Sequence, residues 1–249
     1  MFIRLLVGRL QGVILTLVGL VATIWLGLTG QLVLYIHPRY TVFTIAMAGI
    51  AAVLALASFA VVPVAQNEHE HQVDGVESRR SWLWSVGSIL MIGAAIVGLL
   101  FLPPSTLTTA TVAQRDLNGS ASALTSKPPA HGDYSAFTVR DWASLLRSGA
   151  GKDFFADKTA TVTGFISPDK SDQNVFYVTR FVVTCCAVDA QPIGVPVYHP
   201  GWQNQYKTDS WVTVSSYFRA NPNPASPEGI VLIPDAVTPI AQPAQPYVY

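Results

Sequence analysis

Cys185 and Cys186 are the only two cysteines in a chain of 249 residues, and they are adjacent. Thiols bind soft metals or exchange disulfides, and adjacency constrains both chemistries. Disulfides prefer Cα atoms roughly 4.4–6.8 Å apart, whereas neighbours across a trans peptide sit about 3.8 Å apart, so a Cys185–Cys186 bridge is strained and labile. On a regular strand successive side chains point to opposite faces. The upstream alternation of Val175, Tyr177, Phe181 and Val183 predicts that the odd positions face the core, with Cys185 inward and Cys186 outward. If the strand instead breaks after Cys185, as the turn-like 187–192 stretch permits, both thiolates and the Asp189 carboxylate converge. His199 closely follows the next strand candidate and is the only histidine of the predicted β domain, so it is the expected fourth ligand of a tetrahedral zinc site.

A second, weaker metal candidate is the Glu68-His69-Glu70-His71 run, where His69 and His71 alternate with carboxylates. His37, in the connector Tyr35-Ile36-His37-Pro38-Arg39-Tyr40, reads as an interfacial anchor. The chain shows no nucleophile–base pair, glycine-rich phosphate loop or carboxylate dyad, so the reading is non-enzymatic. Net charge is zero and no basic block suggests nucleic acid.

The elements that carry these residues divide sharply. Charge-free apolar runs at about 10–28, 41–65 and 82–102 predict three transmembrane helices, making 1–104 a membrane domain in the lipid bilayer. Ala and Gly in the second run suit close helix packing and hint at a helical partner. Arg4, Arg9, Arg79 and Arg80 fall on one side and Arg39 and Arg115 on the other, which places the N-terminus in the cytoplasm and the C-terminal domain outside it. The Ser/Thr/Ala/Pro-rich stretch 105–133 reads as a flexible tether.

A small, mainly-β domain is expected over 134–238, led by one helix with Thr138 as its cap and Asp141 in its first turn. Strand patterns follow at 159–166, 174–185, 193–198, 211–218 and 230–233. Five short strands fit an OB-like barrel or an open α+β sheet. Residues 239–249 form a Pro-rich tail.

The His37-Pro38-Arg39 connector, together with Arg180-Phe181…Cys185-Cys186-x-x-Asp189-Ala190, resembles the YcgQ-type family of two-component permease accessory subunits. The resemblance covers most of the chain but not the stretch from Pro222 onward. It implies pairing with a larger polytopic permease subunit, with an association with zinc homeostasis suggested for some members. The function expected from residues and resemblance together is a multi-pass cell-membrane subunit whose extracytoplasmic β domain binds or hands over a ligand, zinc being the candidate ion. Two alternatives stand beside it: a membrane-anchored thiol-redox protein using Cys185 and Cys186, and a membrane-tethered protein-binding module.

Overall fold

The computed structural model describes residues 2–61, 86–87, 89–98, 105–119, 134–156, 158–234 and 236–249. The chain forms two compact units, Met1–Ser105 and Thr106–Tyr249. In the first unit, α1 (Phe2–Leu28) and α2 (Thr41–Val61) pack on each other through two short 3-10 turns, Gln31–Leu34 and Pro38–Tyr40. The approach is close. A Cβ on Gly27 would lie 2.5 Å from Ile45 Cδ1, so a larger residue there would push the Ile45 side chain aside. Pro38 forces His37 out of the helix, at φ −60° and ψ 136°, and the His37 Nδ1 accepts the Arg39 N–H at 3.1 Å, so this imidazole caps a turn.

Both helices are long and apolar enough to cross a membrane, and association with a membrane is the coarse reading they support. Their outward residues include Trp25, Val42, Phe43, Val53 and Leu54, a surface that calls for an apolar environment or a partner. Of the expected third span, residues 86–87 and 89–98 are helical, and Ile89–Gly98 is apolar. The rest of that run, and the loop with His69 and His71, lie outside the described residues.

The second unit is a five-stranded barrel. Its strands are β1 (Thr159–Pro168), β2 (Val175–Val182), β3 (Gln191–Tyr198), β4 (Trp211–Ala220) and β5 (Ile230–Leu232), with β6 (Val237–Pro239) added on β4. The order β1-β2-β3-β5-β4, closed by β1 against β4 and by a parallel β3–β5 contact, is that of an OB-type barrel rather than an open sheet. β1 is shared between two neighbours: Thr159–Phe165 pairs with β4 and Phe165–Pro168 with β2. At the crossover a Cβ on Gly164 would lie 2.4 Å from the Thr179 carbonyl oxygen, so the strand passes only without a side chain.

Inside the barrel lie Val162, Ile166, Phe176, Val178, Val195, Val214 and Phe218. Helix α4 (Val139–Arg147), labelled after the short α3 (Thr109–Ala113), plugs one end with the fully buried Trp142, whose ring lies 4.9 Å from that of Phe218. The predicted cap is present: Asp141 accepts both the Thr138 N–H at 2.9 Å and its hydroxyl at 2.7 Å. A further turn, α5 (Lys152–Phe155), leads into β1.

The even positions of β2, not the odd ones, face this core. Odd-numbered Phe181 and Val183 belong to a second cluster on the outer side, with Val112, Phe165, Ala190, Trp211 and Tyr247. That cluster corrects two readings of the sequence. Residues 105–119 are not tether: α3 and the turn after it lie on the barrel, with the Leu107 N–H donating to the Tyr247 hydroxyl at 3.1 Å. The Pro-rich tail is also part of the fold, since Val248 bridges to Val182, donates to the Phe181 carbonyl at 2.8 Å and accepts the Val183 N–H at 3.0 Å.

Both segments sit on seams. β1 joins β2 only from Phe165 onward, opposite Thr179, which leaves the β2 edge at 181–183 free, and Val248 takes it. β3 meets β5 only at Val197↔Leu232, which frees its other end. There Asn118, buried and at φ 63°, receives the Gly194 N–H on Oδ1 at 2.8 Å and donates Nδ2 to the Gly194 carbonyl at 2.9 Å, while its N–H bonds the Pro192 carbonyl. Backbone N–H groups alternate sides along a strand, so Pro192 and Pro196 lack theirs on the same side as Gly194 uses its own; no continuous strand could pair there.

Asn118→Ala leaves two buried backbone groups unpaired and puts a non-Asn residue in the left-handed region, at an expected cost of about 2–4 kcal/mol. A lowered unfolding midpoint followed by barrel tryptophan signal checks this. Asn118→Asp, which keeps only the acceptor, should fall between the two, and an unchanged midpoint for Ala would remove Asn118 from the seam.

Candidate functional site

β2 ends at Val182, and the chain turns through residues 184–189 before β3 begins at Gln191. Asp189 builds this turn. Its carboxylate accepts the Cys185 N–H at 2.7 Å and the Thr184 N–H at 3.2 Å, while its own N–H donates to the Cys186 carbonyl at 3.0 Å. An Asp side chain closing on backbone amides is a local turn former. A second anchor comes from a distant segment, as Arg115 donates from Nη2 to the Val188 carbonyl at 3.0 Å. The turn therefore displays Cys185 exposed, Cys186 half-buried and Val188 84% exposed on a braced backbone.

This arrangement reverses the expected orientation of the cysteines. Because the strand stops at Val182, the alternation that would have carried Cys185 inward no longer applies to it. Both thiols are free and close enough to influence each other electrostatically. Partial loss of hydration, then the Cys186 thiol and the Asp189 carboxylate, raise the Cys185 thiol above its ordinary value. A raised thiol is protonated at neutral pH, the opposite of what an exchange nucleophile needs.

The expected tetrahedral site is not assembled. The β2–β3 register pairs Val182 with Gln191 at the cysteine end and Val175 with Tyr198 at the other. His199 follows Tyr198, so it stands at the far end of the ladder, roughly 23 Å away at about 3.3 Å per residue. There its N–H bonds the Asn174 carbonyl and its ring meets Tyr206 edge-on. Asp189 is committed to the turn's amides. Among the described residues no three His, Cys, Asp or Glu side chains form a metal-holding group.

The surface on which OB-type barrels bind oligonucleotides, strands β2 and β3 with the β1–β2 and β4–β5 loops, is closed by the protein itself. The Tyr177 hydroxyl donates to Glu228 at 2.7 Å, and burial first, then Glu228 and Asp169, push that phenol far up, so it stays a donor. Asn223 donates to Asp172 at 2.8 Å, joining the two loops. Asn118 occupies the Gly194 side, and Tyr247 lies edge-on to Phe181. A cleft of about 140 Å³ lined by Lys152, Phe155, Phe218, Arg219 and Ile230 is smaller than the roughly 300 Å³ at which small-molecule pockets begin.

Arg180, which opens the sequence block, serves the tail. Its Nη2 donates to the Gln245 carbonyl at 3.0 Å and its guanidinium lies over the Trp211 ring, with burial lowering its basicity and Tyr249 opposing that shift. Arg115 and Asn118 were missed by the sequence reading because they lie in the stretch read as tether; the Asn118-Gly119 dipeptide, a turn signal, was the visible clue. The raised Cys185 thiol gives a pH test. Alkylation by iodoacetamide in a Cys186→Ser background should accelerate with pH along a curve displaced upward from that of an unstructured cysteine peptide, and a downward displacement would contradict the electrostatics described.

No curated protein matches the chain. The DUF1980 N-terminal domain matches residues 10–118, which take in the helical unit and the α3 segment with Arg115 and Asn118. The DUF1980 C-terminal domain matches residues 142–249, from Trp142 on α4 through the barrel and its tail. The chain thus carries both domains of the DUF1980 family, the N-terminal one supplying apolar helices and the C-terminal one a barrel with the dithiol turn.

Proposed function

We propose that this protein is a non-enzymatic accessory subunit of a membrane permease, in which the barrel presents the 184–189 turn to a ligand or partner on the extracytoplasmic side. The observation that carries this reading is the contrast between a self-closed barrel face and a braced, exposed turn. The usual OB ligand surface is tied shut by Tyr177–Glu228 and Asn223–Asp172. Residues 184–189 instead project two thiols and Val188 on a backbone held from both Asp189 and Arg115.

The apolar helices support the membrane half of the reading, and the small-residue approach at Gly27 and Ile45 is the packing that lipid-embedded helices use. A thiol-redox role is disfavoured by the upward shift of the Cys185 thiol and by the strain of a bridge between neighbours. Val188 favours a second reading, docking of a protein partner on the turn, which differs from the first only in what is bound.

Purification from native membranes in mild detergent should retain a polytopic partner in stoichiometric amount, and recovery of the chain alone in several such detergents would count against the permease reading. Membrane-impermeant thiol reagents should label Cys185 in intact cells without permeabilisation. Labelling only after lysis would place the turn in the cytoplasm.

A further inference from the structure

We infer that the Cys185–Cys186 turn is a two-sulfur site for soft monovalent copper rather than part of a tetrahedral zinc site. This deepens the reading above by naming the ligand class of the turn, and rests on it for biological meaning only.

Three observations converge. Cys185 and Cys186 stand off the strand in one turn, so they escape the alternation that would send them to opposite faces, and each thiol lies within electrostatic reach of the other. The oxygen and nitrogen donors that zinc would need are engaged or remote: Asp189 accepts two backbone N–H groups, and His199 lies at the other end of the β2–β3 ladder. Thiolates suit both Cu(I) and zinc, but structural zinc sites almost always have four ligands, whereas the monovalent d¹⁰ copper ion is content with two or three sulfurs. Cys185 is exposed, so an ion held there keeps an open side for a ligand from a partner.

The turn is also built before any ion arrives. Asp189 fixes its start and Arg115, from a segment seventy-three residues away, fixes its tip. Such bracing lowers the ordering cost of chelation. Binding forms two Cu–S bonds, both thiol protons pass to solvent, and no electrons change hands.

The test uses the purified full-length chain in detergent, reduced with a phosphine, and titrated with Cu(I) against a bidentate chromogenic chelator, with Zn(II) in parallel. One Cu(I) should bind per chain, and Cys185→Ser or Cys186→Ser should each abolish that binding. Arg115→Met, which loosens the tip but leaves both sulfurs, should weaken it by about tenfold, the scale of an outer-shell loss. His199→Ala should change nothing. Copper binding that survives either serine variant overturns the inference, as does absence of Cu(I) binding or zinc binding that is lost in His199→Ala. Since partner capture is read without added metal, failure here is distinguishable from failure of the permease reading.

Discussion

Closing five short strands into a barrel leaves backbone groups unpaired wherever a strand must change neighbours, and that constraint organises this domain. β1 cannot follow β2 and β4 along its whole length, so it passes from one to the other at Gly164–Phe165 and strands the β2 edge at 181–183. β5 is too short to cover β3 and strands the other edge at 191–194. Buried unpaired amides cost on the order of 1–3 kcal/mol each, and open edges invite pairing with other chains. The domain answers with two segments from outside the barrel, Asn118 as a side-chain amide standing in for a strand and Val248 as an added strand residue.

The same plugs position the turn. Val248 holds the Val183 N–H immediately before it, and the segment that carries Asn118 also carries Arg115, whose guanidinium holds Val188. Asn118 further bonds Pro192, just after the turn. Closing the barrel and bracing the dithiol turn are thus one structural act. The outer cluster of Phe165, Phe181, Val183, Trp211 and Tyr247 is what holds both plugs down. It also explains why the usual ligand face of such barrels is not free here.

The helical unit obeys a different solvent logic. Val42, Phe43, Val53 and Leu54 point outward, and close approach is confined to places such as Gly27 against Ile45 and the buried Ala48. In water that pattern would be unstable; in lipid, where apolar surface carries no penalty, packing of small residues is the main source of helix association. His37, read from the sequence as an interfacial anchor, caps the turn at Pro38.

What the sequence by itself determined were the features set by local chemistry. Charge-free apolar runs marked α1 and α2, Thr138 and Asp141 marked the start of α4, and period-two alternation located all five barrel strands to within a few residues. Alternation failed on β2 because both of its faces are buried, one by the barrel core and one by the two plugs, so parity no longer distinguished inside from outside. Only the tertiary structure decided where Cys185 points, that residues 105–119 and 240–249 belong to the barrel, and that His199 lies far from the thiols. Each depends on strand register and on hydrogen bonds between residues up to 140 positions apart. Such long-range pairing is specified by the sum of the fold and not by the periodicity of any one stretch.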